Sequence, residues 1–176
     1  MPLPPAHFFV GAGAAELARG RSSQQAWRAW LVGGAFGVLP DIDTGIGVLL
    51  GRSTEFHGLF THTPLAVLTV GLLVWAVAGR RWAIVATAAY AAHLLLDLFE
   101  DRASTSVQPL WPLSDETLPS LARILPSVPW RRGGGPEQAA VSLFDPGVFG
   151  WLMAQTAAGA VLFLLALLIR RVLGAR

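Results

Sequence analysis

The sequence contains no cysteine and no lysine, and only 14% of its 176 residues are charged. The absence of cysteine excludes disulfide bonds, thiolate metal sites and cysteine nucleophiles. The 13 basic residues, all arginine, exceed the 11 acidic residues by only two. Because no run of basic residues is longer than two, we expect no nucleic-acid partner.

Hydrophobic residues, in contrast, are abundant and make up 53% of the chain. A soluble domain usually has about 25% charged and about 45–50% apolar residues. One core of this size cannot enclose all of the apolar side chains, so much of the apolar surface is predicted to contact lipid. The lipid bilayer is therefore the first expected partner.

Four apolar segments predict membrane helices, at 29–50, 64–79, 82–99 and 146–169. A short helix precedes them; its apolar stretch contains Glu16 and follows no basic residue, which is not typical of a cleaved signal peptide. The sequence predicts an all-α, polytopic membrane bundle with four to five membrane-embedded helices. We expect one domain over 1–176, with 100–145 as an extramembrane connection.

Arginine pairs at 80–81 and 170–171 give the predicted orientation. Arginines next to short loops favour the cytoplasm. Both pairs can lie there if the third segment runs outward and the fourth runs back. The site residues discussed below would then lie at the extracytoplasmic end of a multi-pass membrane protein.

His93 and Asp97 are the first candidate site residues. They are four positions apart in an apolar helix, so their side chains share one face. An ionisable residue in a membrane helix is costly and normally faces a partner or a wet cavity. The pair alone fits a hydrogen bond between helices as well as it fits a metal site.

Asp41 and Asp43 lie on either side of Ile42, directly after Pro40. In an extended or turning backbone, residues two apart point the same way and can share one cation. The alternative is a solvated turn. The apolar sequence on both sides favours a functional role.

Histidines complete the candidate set. The chain has four, all within residues 7–93 and each next to an apolar segment: His7, His57, His62 and His93. Imidazoles and carboxylates without thiolates fit Zn²⁺ best, with Mn²⁺ or Mg²⁺ as alternatives. We expect one to two ions per chain, because the ligand count suits two metals better than one. Two-metal sites are typical of phosphoester hydrolysis.

Glycines at 11 and 13 and at 33, 34 and 37 do not form a phosphate-binding loop, since no Lys-Ser/Thr pair follows them. We expect them to allow close helix packing instead.

Four short motifs occur in the order GVLPDID at 37–43, HGLFTHT at 57–63, HLLLD at 93–97 and LWP at 110–112. With them, the chain over 7–112 resembles the YdjM-like family of inner-membrane-associated metal-dependent hydrolases. That family is distantly similar to the all-helical zinc-dependent phospholipase C and nuclease group, which implies phosphoester chemistry. The metal residues that the resemblance implies are His7, Asp41, Asp43, His57, His62, His93 and Asp97.

The chain departs from this family in three places. Gly58 and Thr63 occupy positions where the family usually has arginine and serine, and the glycine expected between Asp97 and the Trp-Pro pair is absent. We expect another arginine to contact the substrate phosphate, Arg102 first and Arg52 second, and Asp43 to act as a proton acceptor.

The predicted function is a membrane-bound, divalent-metal-dependent hydrolase of a phosphoester, with a phospholipid or lipid-linked phosphate as one substrate class. The alternatives are a non-catalytic membrane protein with a structural metal and a small ion or metal transporter.

Overall fold

The structure, a computed structural model, describes residues 4–20, 26–51, 58, 60–99, 107–122, 124, 136–137, 141 and 144–174. These residues form helices and no β-strand, so the all-α prediction is confirmed for them. In chain order the helices are α1 (Pro4–Ala18), α2 (Ala26–Val38), α3 (Ile42–Leu49), α4 (Pro64–Ala78), α5 (Arg80–Asp97) and α6 (Pro146–Gly174), with a 3-10 turn at Leu39–Asp41 between α2 and α3.

Two helical stretches among the described residues are long and apolar enough to cross a membrane, Ala26–Leu49 and Pro146–Gly174. The predicted number of four to five membrane-embedded helices is not reached by this criterion. The 15 residues of α4 extend about 22 Å, less than the ~30 Å hydrocarbon core. Helix α5 is longer, with 18 residues, but it begins with two arginines and contains His93 and Asp97, and these charged and polar residues reduce its mean hydropathy.

The Ala26–Leu49 stretch is interrupted where Pro40 predicts a break. Pro40 lies in the 3-10 turn, which leads directly into α3. Asp41 ends this turn and Asp43 lies in the first turn of α3, and both are buried. Of the two predicted backbone geometries, extended or turning, the structure has the turning one. Because Asp41 lies in the 3-10 turn and Asp43 in α3, however, the two carboxylates point in different directions.

Helices α4 and α5 form a hairpin. Helix α4 begins after Thr63, whose Oγ1 accepts a hydrogen bond from the Ala66 amide, and Pro64 occupies its first turn. The hairpin turns at Gly79, whose φ of +83° suits a residue without Cβ. As a result, the start of α4 and the end of α5 lie at the same end of the bundle.

Helices α1 and α2 pack closely through their glycines, as predicted. A Cβ at Gly11 would lie 2.4 Å from the Gly33 carbonyl oxygen, and a Cβ at Gly37 would lie 2.5 Å from the His7 carbonyl oxygen. No larger side chain fits at these positions without moving a backbone. The close approach brings His7 next to the end of α2.

Helix α1 is the central helix, since it contacts α2, α5 and α6. Helix α6 packs on α1, with Gly159 against the backbone of Ala6, and leaves most of its apolar side chains on the surface. The bundle places the start of α1 and the ends of α2 and α5 together. Arg80, Arg81 and Arg170 lie at the opposite end.

Part of the predicted 100–145 connection packs over the end where α5 finishes. Val107 joins a small core with Tyr90 and Leu94. The Gln108 amide donates to the His62 carbonyl, and the Leu121 amide donates to the Leu98 carbonyl. This segment therefore covers the loop that precedes α4.

Candidate metal centre

Five side chains from four parts of the chain meet at this end of the bundle. We call them the His/Asp cluster: His7, Asp41, His62, His93 and Asp97. All five are buried, and His7, His62, His93 and Asp97 have no solvent-exposed surface. The structure thus brings together most of the ligand set that the sequence predicts.

The donor atoms of the His/Asp cluster face one another at short distances. His93 Nε2 lies 3.2 Å from His62 Nε2 and 3.2 Å from Asp97 Oδ2. His62 Nε2 lies 3.4 Å from Asp97 Oδ2 and 3.8 Å from Asp41 Oδ1. Tetrahedral Zn²⁺ with bonds of about 2.0–2.1 Å keeps its ligand atoms about 3.3 Å apart. The spacing of these four residues therefore fits a bound divalent ion.

Hydrogen bonding determines which nitrogen of His93 is available. Its Nδ1 lies 2.7 Å from the Gly37 carbonyl oxygen. A carbonyl only accepts, so Nδ1 carries the proton and Nε2 of the neutral ring presents a lone pair. Metal-binding histidines are commonly oriented through their other nitrogen in this way.

The same reasoning assigns the tautomer of His62. Thr61 Oγ1 donates to Asp43 Oδ2 at 2.7 Å, which uses the only hydroxyl proton. Thr61 Oγ1 therefore accepts from His62 Nδ1, 3.0 Å away, which leaves Nε2 as the nitrogen that can bind a cation. Both His62 and His93 thus direct Nε2 toward Asp97.

Asp43 lies behind His62 rather than within the His/Asp cluster. Its Oδ2 is 3.3 Å from His62 Nδ1 and accepts from the Gly58 amide at 3.0 Å. Its Oδ1 accepts from the Thr44 amide and hydroxyl. The geometry does not support the prediction of Asp43 as a metal ligand or as the proton acceptor. Asp43 is instead placed to orient His62.

The sequence analysis missed three groups that orient the cluster, namely Thr61, Tyr90 and the Gly37 carbonyl. Tyr90 OH donates to the Thr61 carbonyl at 2.7 Å, which fixes the loop before His62. A signal existed for Tyr90, because this single tyrosine precedes His93 by three residues in one helix. No side-chain pattern reveals a carbonyl such as that of Gly37.

His7 differs from the other two histidines. Neither of its ring nitrogens makes a hydrogen bond within the described part of the chain, although the ring is fully buried. Its Nε2 faces Asp97 Oδ1 at 3.5 Å and Asp41 Oδ2 at 4.0 Å. Its ring stacks on His93 with centroids 3.7 Å apart. A buried imidazole without hydrogen bonds is a costly arrangement that a bound cation would satisfy.

The pKa of His62 shows how strongly the carboxylates act on this loop. Burial disfavours the charged imidazolium and lowers the pKa. Hydrogen bonding and charge interactions with Asp43 and Asp97 outweigh burial and raise the pKa of His62 to about 10. Without a bound ion this negative field keeps a proton on the His62 ring, and a divalent cation that binds Nε2 would displace that proton.

Three predicted residues, His57, Arg52 and Arg102, lie outside the described residues. Their predicted roles stay predictions.

Within the described chain, two groups of buried side chains could hold a metal ion, His7–Asp41–His93 and His62–His93–Asp97. Imidazole and carboxylate donors in this number fit zinc and other divalent ions. The fold and this site define the class of the protein: a largely apolar, all-helical protein with two candidate membrane spans and buried His/Asp groups able to bind metal.

The YdjM inner membrane protein family matches the chain over residues 1–175. The chain therefore belongs to this family. No curated protein and no solved structure matches it.

Proposed function

We propose that the chain is a membrane-bound, divalent-metal-dependent hydrolase that acts on a phosphoester. The observation that carries this proposal is the convergence of Nε2 of His62, Nε2 of His93 and Oδ2 of Asp97 within 3.2–3.4 Å of one another. Both imidazoles are held in the tautomer that binds a cation. A site built only for helix packing would not require this.

His7, Asp41, His62, His93 and Asp97 are the residues that would hold the metal, with Zn²⁺ the first choice and Mn²⁺ or Mg²⁺ the alternatives. A divalent ion there supplies Lewis acidity and lowers the pKa of bound water. The residues behind the ligands keep the site rigid. Asp43 and Thr61 orient His62, and the Gly37 carbonyl orients His93.

A lipid-borne substrate is supported by the apolar surface around the cluster, because α6 leaves most of its apolar side chains exposed. Between Leu96 of α5, Gly159 and Leu162 of α6 and Ala6 and Val10 of α1 there is only a small apolar depression of about 30 Å³, which is too small to hold a lipid chain. Ala6 and Leu96 are the sequence neighbours of His7 and Asp97. A lipid that contacts this apolar surface would bring its phosphate head group to the metal-binding end.

Phosphate contact is assigned to Arg102 first and Arg52 second, because Gly58 replaces the arginine that is usual in the family. A planar guanidinium neutralises phosphate charge with two parallel hydrogen bonds. Arg102→Ala should lower turnover by about 10²-fold or more and leave the metal content unchanged. Normal turnover in both Arg102→Ala and Arg52→Ala would exclude this assignment.

We also propose that the site faces the extracytoplasmic side. The arginine-bearing end of the helices, with Arg81 and Arg171, is opposite the His/Asp cluster, and arginines favour the cytoplasm. The chain has no cysteine, so single-cysteine labelling gives a clean test. In intact cells an impermeant thiol reagent should label Asp115→Cys and not Arg81→Cys. The reverse pattern would invert the orientation.

One observation favours a second function, a metal that only stabilises the fold. The donor side chains are almost completely buried, and closed sites are typical of structural zinc. Under this alternative, metal removal lowers thermal stability and no substrate is hydrolysed.

The deciding experiment loads detergent-purified protein with Zn²⁺ or Mn²⁺ and assays soluble phosphomonoesters, phosphodiesters, phospholipids and lipid-linked phosphates. We expect release of phosphate or a head group from a lipid substrate by the wild type and none by Asp97→Asn. Turnover that Asp97→Asn retains would identify a contaminant. Metal binding and metal-dependent stability without turnover of any substrate would favour the structural alternative.

A further inference from the structure

The two carboxylates shared by the His/Asp cluster each face two groups of donors. Asp97 directs Oδ2 toward His62 and His93, at 3.4 and 3.2 Å, and Oδ1 toward His7, at 3.5 Å. Asp41 is arranged in the same way. Its Oδ1 lies 3.8 and 3.7 Å from Nε2 of His62 and His93, and its Oδ2 lies 4.0 Å from Nε2 of His7.

From this division we infer that the cluster binds two divalent cations bridged by Asp41 and Asp97. His62 and His93 hold the first cation, and His7 holds the second. This inference deepens the proposed function, on which it rests for the identity of the site, and it commits the chain to two ions rather than one. It also assigns His7 as the side chain that distinguishes the two positions.

By distance alone, His93 could bind either cation, because it belongs to both groups of possible metal ligands, His7–Asp41–His93 and His62–His93–Asp97. An imidazole nitrogen has one lone pair and so binds one cation. Nε2 of His93 is 3.2 Å from both His62 Nε2 and Asp97 Oδ2, close to the spacing of ligands on one tetrahedral ion. His93 therefore belongs with His62.

The stacking of His7 on His93 is independent support for two positions. The two rings are nearly parallel, with an angle of 23° and centroids 3.7 Å apart, and both Nε2 atoms face the carboxylate of Asp97. A cation bound by an imidazole lies near the plane of that ring. Because the planes of the two stacked rings are separate, one cation does not fit both rings, and each ring is placed to bind its own ion.

The lack of hydrogen bonds to His7 agrees with this division. His93 Nδ1 and His62 Nδ1 each have an oxygen partner that fixes the ring, whereas His7 has none among the described residues. Among the described residues, four side chains offer a donor to the first position: His62, His93, Asp41 and Asp97. Three described side chains offer one to the second position: His7, Asp41 and Asp97.

The test counts ions in the purified full-length chain. Wild type titrated with Zn²⁺ should bind two ions per chain by native mass spectrometry and elemental analysis. His7→Gln should bind one ion, the first cation. His62→Gln should lose that first cation. Glu16→Gln, a buried substitution in the same helix α1 but at the other end, should keep two and serves as the matched control.

Loading the wild type with Mn²⁺ provides a second readout, which does not depend on whether any variant folds. Two carboxylate-bridged Mn²⁺ ions should give an exchange-coupled electron paramagnetic resonance spectrum, and His7→Gln should give the spectrum of an isolated ion. Saturation of the wild type at one ion, or two ions with no coupling, would overturn the inference. A one-ion site could still hydrolyse substrate, and a two-ion site could lack activity, so the outcome is separate from that of the proposed function.

Discussion

The two ends of the helix bundle both bury charged side chains, but they balance charge in different ways. At the arginine-rich end, the buried carboxylate of Glu16 accepts from Arg19 and from Trp30 Nε1, at 2.7 and 2.6 Å. Arg170 of α6 lies beside it and donates to the carbonyls of Arg19 and Gly20. We call these four residues the Glu16 cluster: Glu16, Arg19, Trp30 and Arg170.

The difference between the clusters lies in where the cation comes from. In the Glu16 cluster the chain itself supplies the guanidinium groups, so the carboxylate is paired by its own helices. In the His/Asp cluster, imidazole nitrogens and carboxylate oxygens face one another at 3.2–4.0 Å, and His7 makes no hydrogen bond with any described residue. The first arrangement joins helices, and the second is suited to a metal ion. Four substitutions test this contrast.

The largest effect is expected for Asp97→Asn, which removes the charge shared by all three histidines of the cluster but preserves the side-chain shape. We expect nearly complete loss of bound metal, measured by elemental analysis, with helicity retained by circular dichroism. Asp115→Asn, which changes an exposed carboxylate in the segment that covers the same end, is the matched control. Full metal content in Asp97→Asn would mean that the site does not depend on this carboxylate.

The next effect is expected for Gly37→Ala. The new Cβ would lie 2.5 Å from the His7 carbonyl oxygen and 2.9 Å from Gly11 Cα, both backbone atoms, so α1 must move. We expect a destabilisation of about 1–3 kcal/mol and reduced metal binding, because His7 moves with α1. Gly45→Ala in α3 meets nothing within 4 Å and should change neither property. Equal metal content and thermal midpoint in both variants would show that α1 tolerates the shift.

Asp97 and Gly37 also illustrate which parts of the candidate site could be predicted from the sequence and which could not. Asp41, His93 and Asp97 were predictable, because costly polar residues in apolar segments seldom occur without a partner. His7 and His62 were predicted because they lie next to apolar segments and because the family resemblance implies them. The position of Asp43 behind His62 was not predictable, because it depends on a 3-10 turn that rotates Asp43 away from Asp41. The Gly37 carbonyl was not predictable either, since a backbone acceptor leaves no trace in side-chain chemistry.

The helices were predicted better than their relation to the membrane. The apolar run at 29–50 covers α2, the 3-10 turn and α3 together, and the other three runs lie close to α4, α5 and α6. The number of spans was overestimated because hydrophobic composition alone does not separate a short helix such as α4, or a helix carrying site residues such as α5, from a full membrane span.

A smaller effect is expected for Asp43→Asn, which weakens the interaction that orients His62. Its oxygens accept from Thr61 and from the amides of Gly58 and Thr44, so the change acts through His62 rather than on the metal. Substitution of such a supporting group typically costs about 10–100-fold in metal affinity. Competition with a chelator measures the Kd, and Asp145→Asn, an exposed cap of α6, is the control. Complete loss of one ion would instead return Asp43 to the ligand set.

The smallest effect is expected at the other end of the bundle, where Arg170→Ala and Arg171→Ala form a matched pair. Arg170 donates to the backbone carbonyls of Arg19 and Gly20, whereas its neighbour Arg171 is exposed. Arg170 also donates a longer hydrogen bond to the Glu16 carbonyl, at 3.4 Å. Loss of these three hydrogen bonds from a charged donor that is itself partly exposed should cost about 1–2 kcal/mol, a decrease of roughly 2–8 °C in Tm. Arg171→Ala should leave the Tm unchanged. Metal content should stay at the wild-type value in both variants, because the Glu16 cluster has its own cations and lies away from the ligands. If Arg170→Ala releases metal, the two ends are coupled through α1, and the contrast between a cluster that joins helices and a cluster that binds metal would no longer hold.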